Sequence, residues 1–229
     1  MTDKKNSEDR RPIPLRHTKV ADRIASSLAR RGVSPDTISY AGMFAALLAG
    51  AALAATSLAP GYARGLFLAA AVLIPLRGLC NMFDGMVAVE FGKGSATGAL
   101  MNEVPDRISD IALMIGAGFA IGGHETLGYL TAITALFIAY VRVAGISMGT
   151  PAFFGGWMAK QPRMFSIAGV SAWLALAPLA WQPSIGEGYG LITVCQIVIL
   201  VGSIQTIAVR LWQVKNALNN SLTAGEKNE

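Results

Sequence analysis

Six stretches of roughly 20 predominantly apolar residues, the length that crosses about 30 Å of hydrocarbon, follow one another along the chain. They run from Ile38 to Leu58, Gly65 to Val89, Thr97 to Ile121, Leu127 to Met148, Met164 to Trp181 and Tyr189 to Leu211. The connections are short and carry Gly and Pro, as at Ala59-Pro60-Gly61 and Gly149-Thr150-Pro151, which leaves no room for a second, soluble domain. Ahead of the first span, Thr18 to Arg31 has a helical period. Val20, Ile24, Leu28 and Ala29 share a face opposite Lys19, Arg23, Arg30 and Arg31, which predicts an amphipathic helix lying on an anionic leaflet. The plainer alternative is an ordinary solvated helix, since two serines dilute the apolar face. The pattern as a whole predicts an all-α integral membrane protein: six transmembrane helices preceded by an interfacial amphipathic helix. Residues 1–17 form a disordered basic tail in this reading, 18–215 the membrane domain and 216–229 a polar C-terminal tail.

Composition agrees with that setting: 53% of residues are hydrophobic and 14% charged, a balance that argues against a water-soluble enzyme. Basic residues then orient the spans. Of 19 Lys and Arg, nine precede the first span, and Lys93, Lys160, Arg163, Arg210, Lys215 and Lys227 lie in the other segments on that side. Arg64 is the one basic residue in a far-side loop, and Arg77, Arg107 and Arg142 fall within spans. The positive-inside rule therefore puts both termini and the Lys93 and Lys160 loops in the cytoplasm, most simply of a bacterial-type inner membrane. Lipid is the expected partner of the basic surface, and no nucleic acid is. Met1 to Pro14 lacks the apolar core of a signal peptide. Trp157, Trp181 and Trp212 read as interface anchors, Cys80 and Cys195 as buried thiols, and His17 and His124 as isolated surface imidazoles.

Candidate chemistry comes from acids inside the spans. Asn81, Asp84, Gly85 and Ala88 fall on a helical stripe about 100° wide. On the next span Gly98, Asn102, Asp106 and Asp110 recur every four residues, and Glu103 joins them on the same side. Two facing helices would converge several oxygen ligands on one point. Hard divalent cations such as Mg²⁺ or Mn²⁺ want such a set, and no His or Cys suggests zinc. Charges at mid-span are functional by default, the alternative for Glu103 and Asp110 being ion pairs with Arg77 or Arg107. Arg77 lies within about 40° of Asn81 on the helical wheel, so it reaches the same cavity, to contact a phosphate or to balance the carboxylates. Arg142, Lys160 and Arg163 together suit an acceptor that itself carries phosphate, unless Lys160 and Arg163 are only topogenic charges. Gly116, Gly118, Gly122 and Gly123 read as close helix packing or dimerisation.

The run Asn81-x-x-Asp84-Gly85-x-x-Ala88-Val89, eight residues, then Gly98-x-x-x-Asn102-x-x-x-Asp106 resembles the signature of the CDP-alcohol phosphatidyltransferase family. That signature is D-x-x-D-G-x-x-A-R, eight or nine residues, G-x-x-x-D-x-x-x-D. Ser34-Pro35-Asp36-Thr37-Ile38-Ser39 is similar to the family's T-P-N-x-L-T, and Tyr140-Val141-Arg142 to a basic position in its fourth span. The resemblance implies a membrane enzyme, usually a homodimer, that moves a substituted phosphoryl group from a CDP-linked donor to an alcohol and releases CMP. It implies metal-site roles for Asn81, Asp84 and Asn102, the general base for Asp106, and nucleotide contact at Gly85, Ala88 and Gly98, beside Arg77. The chain departs from the signature at Asn81 and Asn102, where the family has aspartate, and at Val89, where it has arginine. Glu103, Asp106 and Asp110 form a stripe only about 60° wide, so a shifted metal set of Asp84, Glu103, Asp106 and Asp110, helped by both asparagines, is expected.

The expected function is Mg²⁺- or Mn²⁺-dependent transfer of a phosphatidyl group from CDP-diacylglycerol to a polar, phosphorylated alcohol such as glycerol 3-phosphate or inositol phosphate, in phospholipid biosynthesis. The alternative is a catalytically degenerate family member serving as a lipid-binding or assembly subunit. A small transporter is disfavoured because the acids cluster at one end of the spans instead of lining a path.

Overall fold

Side-chain caps start the first two helices. In the computed structural model, which describes residues 16, 18–92, 97–186 and 188–225, Thr18 accepts a hydrogen bond from the Ala21 amide at 3.3 Å and opens α1 (Lys19–Arg30). Ser34 accepts from the Thr37 amide at 3.1 Å and opens α2 (Pro35–Leu58). Pro35 and Asp36 follow in the first turn, where a missing amide is harmless and a negative charge meets the positive end of the helix. Between the two helices Gly32, at φ +77°, takes the left-handed conformation that ends α1. The chain continues as α3 (Ala63–Glu90), α4 (Gly98–Gly118), α5 (Glu125–Ser147), α6 (Lys160–Leu176) and α7 (Leu191–Gly225). The expected tail of residues 1–15, His17, the Lys93 loop and Lys227 lie outside the described residues.

The architecture is mostly helical. Among the described residues the strands form a small antiparallel ribbon, β1 (Ser184–Ile185) with β2 (Tyr189–Gly190), between α6 and α7. Among the described residues four helical stretches are long and apolar enough to cross a membrane: Pro35–Leu58, Pro60–Val89, Glu125–Ser147 and Leu191–Asn220. Two of the six expected spans do not reach that standard, for physical reasons. α4 carries Glu103, Asp106, Arg107 and Asp110, and α6 has only 17 residues.

Small residues let α2 sit between the two helices that carry the motif. It packs along both α3 and α4. A Cβ on Gly42 would come within 2.8 Å of Cys80 Cβ on α3, and one on Gly116 of α4 within 2.6 Å of Gly50 Cα on α2. Such near-contact of backbones is how helices associate where lipid removes the hydrophobic drive between them. The main apolar core runs through Ala46, Leu53, Ile74, Leu113, Ile167 and Ile199, tying α2, α3, α4, α6 and α7 together. A second cluster fixes α1. Ala21, Ala25 and Ala29 pack against Met82, Met86 and Val87 of α3, while Val20 (64%) and Ile24 (42%) stay exposed. The buried face of α1 is thus its alanine face, because only small side chains permit such close docking, and the expected Val20–Ile24 face is turned outward.

At the far end Arg64 donates from Nε to Ala175 O (2.9 Å) and from Nη2 to Ala177 O (3.1 Å), satisfying carbonyls at the end of α6. His124 corrects the expectation of an isolated imidazole. Its ring stacks on Tyr189 at 5.2 Å, and its backbone amide donates to Gln196 Oε1 at 3.0 Å.

Candidate active site

The C-terminal half of α3, the first turns of α2, α4 and α6, and the C-terminal half of α5 meet at one end of the bundle around a cavity of about 560 Å³. The alternating direction of successive helices produces this meeting, because residues 35–39, 77–89, 98–107, 142 and 160–165 all fall at the same end. Asn81, Asp84, Asn102, Glu103 and Asp106 line this one cavity, as do Gly85, Ala88, Gly98, Arg77, Arg142 and Lys160. Asp110 and Arg163 are not among the lining residues.

Asp106 is the hub. Its carboxylate is ion-paired with Arg77 from α3 and Lys160 from α6, and Arg107 Nη2 lies 3.6 Å from its Oδ2. Lys160 Nζ also donates to Asn81 Oδ1 at 3.4 Å, so one ammonium joins α3, α4 and α6. Asp84, 5% exposed, accepts from Ser39 Oγ of α2 at 2.7 Å. Glu103 is paired with Arg142, and Arg107 Nε lies 3.8 Å from it. Arg142 in turn sits over the Phe154 ring at 5.7 Å.

Deeper in the protein Arg163 Nη2 donates to Asp110 Oδ2 at 3.3 Å and Nη1 to Met158 O at 2.9 Å. Both side chains of the pair are 1% exposed. A buried ion pair tolerates loss of both partners far better than loss of one. Asp110→Leu is therefore expected to cost about 3 kcal/mol by stranding the Arg163 cation, with much of it regained in Asp110→Leu/Arg163→Met. The order of melting temperatures in detergent, wild type above double variant above single, checks this.

Whether a divalent cation suits this site turns on donor chemistry. Among the described residues no group of three or more His, Cys, Asp or Glu is arranged to hold a metal. Asp110 is drawn into a buried ion pair off the cavity, which leaves Asp84, Glu103, Asp106 and the two amides, Asn81 and Asn102, as the oxygen donors of the expected set on the cavity wall, Glu103 and Asp106 being themselves ion-paired. Two of those residues, Asn81 and Asp106, already converge on a cation, the Lys160 ammonium. An all-oxygen set gathered around a positive charge fits a hard metal ion.

Sequence reasoning missed Ser39 and Arg16 as members of this site, and had Arg107 only as an alternative ion-pair partner of Glu103 and Asp110, which it is. Ser39 stood in the Ser34–Ser39 segment that resembles the family, but the spacing gave no sign that its hydroxyl reaches Asp84.

Buried acids around one cavity, in a bundle with four helices long and apolar enough to cross a membrane, define a helical membrane protein with a charged site at one end. No model of a known protein family matches the chain. The chain is 29% identical over 217 residues to a phosphatidylinositol phosphate synthase of Streptomyces avermitilis, covering 91% of this chain and 84% of that protein. In fold it is similar to the phosphatidylinositol phosphate synthase of Mycobacterium tuberculosis with CDP-diacylglycerol bound, at TM-score 0.67 and 23% identity over 86% of this chain and 94% of that one. The same protein in complex with manganese and citrate matches at TM-score 0.65 and 24% identity, over 84% of this chain and 87% of that one. In sequence the chain is thus similar to phosphatidylinositol phosphate synthases, and in fold to one of them.

Proposed function

We propose that this protein transfers a phosphatidyl group from CDP-diacylglycerol to a hydroxyl of a phosphorylated polyol, inositol phosphate first among the candidates, releasing CMP. The observation that carries the reading is Asp106. It is a carboxylate on the wall of a cavity shared by both halves of the motif, held by cations from two other helices. The name of the Streptomyces relative supports the choice of acceptor. Glycerol 3-phosphate is the other candidate that meets the same charge requirement.

In this reading the donor pyrophosphate lies along Gly85 and Ala88, where the α3 backbone is bare, with Gly98 opposite and Arg77 beside it. Arg142 and Lys160 face the acceptor's phosphate, and Arg163 acts through Asp110 and the start of α6. Asp106 accepts the proton of the attacking hydroxyl. A bond forms from that oxygen to the phosphorus bearing diacylglycerol, the bond from the same phosphorus to the bridging oxygen breaks, and CMP leaves with that oxygen. A divalent cation, Mg²⁺ or Mn²⁺, would be held by Asn81, Asp84, Asn102 and Asp106, and would offset negative charge at the pyrophosphate. The manganese complex of the Mycobacterium protein supports that choice of ion. Catalysis by this chain's own residues is mainly positioning and charge balance, which Ser39, Arg77 and Lys160 provide by fixing Asp84 and Asp106.

The finer membrane arrangement belongs to the same proposal: six spans, with α4 and α6 crossing inside the bundle where α2, α3, α5 and α7 shield them. The site end faces the cytoplasm, in keeping with the basic residues of α1. α1 lies at the interface, its exposed Val20 and Ile24 toward lipid. The homodimer is carried over from the family resemblance.

The test is CMP release by purified protein given CDP-diacylglycerol and Mg²⁺ or Mn²⁺, with acceptors offered singly. Inositol phosphate is expected to release CMP at least tenfold faster than unphosphorylated inositol, because Arg142 and Lys160 would lose a charged partner worth about 1.5–3 kcal/mol. Equal rates for both would remove the phosphate-binding role. No CMP with any acceptor would favour the degenerate, lipid-binding alternative.

A further inference from the structure

Among the described residues, the cavity wall holds one cation that no carboxylate neutralises. Arg77, Arg107, Arg142 and Lys160 are each ion-paired with Asp106 or Glu103. Arg16 lines the same cavity, yet among the described residues no carboxylate pairs with it, and its Nε is buried without a hydrogen-bond partner. A buried guanidinium nitrogen left unsatisfied is costly, and a ligand acceptor would remove that cost.

Its location is specific. Arg16 Nη2 lies 3.7 Å from the point where a Cβ on Gly85 would stand, and among the described residues nothing else comes within 4 Å of that point. The guanidinium therefore stands over Gly85, the bare position of α3 beside Asp84. At the last turn of that helix the chain offers Val89, 50% exposed, and no cation. Arg16 is held there by its neighbours in sequence. Thr18 caps α1, and α1 docks through Ala21, Ala25 and Ala29 onto Met82, Met86 and Val87, on either side of Gly85 along α3.

We propose that Arg16 is a nucleotide-phosphate clamp: it donates to the diphosphate of a nucleoside diphosphate ligand lying against Gly85. That the anion is a nucleotide rests on the transferase reading. A guanidinium suits the task because its fork of donors matches two phosphate oxygens at once. By this assignment α1 and the residue ahead of it belong to the substrate site as well as to the membrane surface.

The experiment is equilibrium binding of CDP and, separately, of cytidine to the full-length purified protein in detergent with Mg²⁺. Arg16→Gln is expected to weaken CDP binding about tenfold or more and to leave cytidine binding unchanged, with Arg16→Lys in between. Arg23→Gln, on the exposed side of α1, should leave CDP binding within twofold, which separates a local clamp from the general positive field. Equal CDP affinity in wild type and Arg16→Gln, or an equal loss in Arg23→Gln, overturns the clamp while the transferase reading stands. Wild-type protein that binds neither CDP nor CDP-diacylglycerol overturns both. A melting temperature for Arg16→Gln within about 2 °C of wild type shows that weaker binding is not loss of fold.

Discussion

Asp106→Asn is expected to reduce acceptor-dependent CMP release by about a thousandfold, while the purified protein still folds and still binds CDP-diacylglycerol. An amide keeps the shape of the side chain but cannot take a proton, and loss of a positioned general base typically costs about 10²–10⁴ in rate. A second effect adds to the first. Arg77 and Lys160 lose the carboxylate they share, so two nearly buried cations are left without their counter-charge, and the geometry linking α3, α4 and α6 loosens. Donor binding moves the other way, since an anionic pyrophosphate meets one fewer negative charge. The diagnostic pattern is therefore a collapse of kcat with an unchanged or lower Kd for donor. If Asp106→Asn keeps more than a tenth of the wild-type rate, Asp106 is a structural counter-ion and the base lies elsewhere.

How the site came to be legible, and where it did not, follows from the range of each interaction. The stripe Asn81, Asp84, Gly85, Ala88 and the four-residue recurrence from Gly98 to Asp106 are consequences of helical period, so they could be read from spacing alone, and the structure lines one cavity with both. Ion pairing across helices has no such local sign. Arg77 and Lys160 lie on either side of Asp106 in sequence, on different helices, and nothing in the chain between them announces that all three meet. The same holds for Asp110, whose fully buried partner Arg163 was read as facing an acceptor's phosphate. Arg16 escaped for a different reason: it sits in a polar stretch without periodicity, where sequence predicts only disorder.

Asn81 takes on meaning beside Lys160. An aspartate at 81 would add a second full charge next to the ammonium that Asp106 already holds. With asparagine there, Lys160 meets one carboxylate and one neutral amide oxygen, and Arg77 completes the balance around Asp106. Loss of negative charge on α3 and the presence of a buried lysine on α6 are thus complementary features of one electrostatic design. A site of this kind holds its acids in place with its own cations before any ligand arrives. The faces of α1 show the same dependence on context: close approach to α3 selects Ala21, Ala25 and Ala29, so of the face expected on the leaflet Val20 and Ile24 stay exposed while Ala29 is buried against α3.

The largest structural effect is expected at the contact that spaces the motif helices. On α4, a Cβ at Gly116 would lie 2.6 Å from Gly50 Cα and 2.8 Å from Gly50 C, and a Cβ at Gly50 would lie 2.8 Å from Ala112 C. These neighbours are backbone, so no rotamer change relieves the overlap, and α2 and α4 must separate. Gly116→Val is therefore expected to cost about 3 kcal/mol or more, read as a melting temperature in detergent lower by roughly 10 °C. Truncating the partner cannot compensate, because position 50 is already glycine. Activity should fall with stability, since α2 carries Ser39 against Asp84 and α4 carries Asp106, and parting the two helices moves one acid relative to the other. Gly169→Ala on α6 is the control. Nothing stands within 4 Å of a Cβ there, so alanine should be neutral or stabilise by up to about 1 kcal/mol through helix propensity. If Gly116→Val melts within 2 °C of wild type, the α2–α4 approach is not what sets the width of the site, and the packing through α6 must carry that role instead.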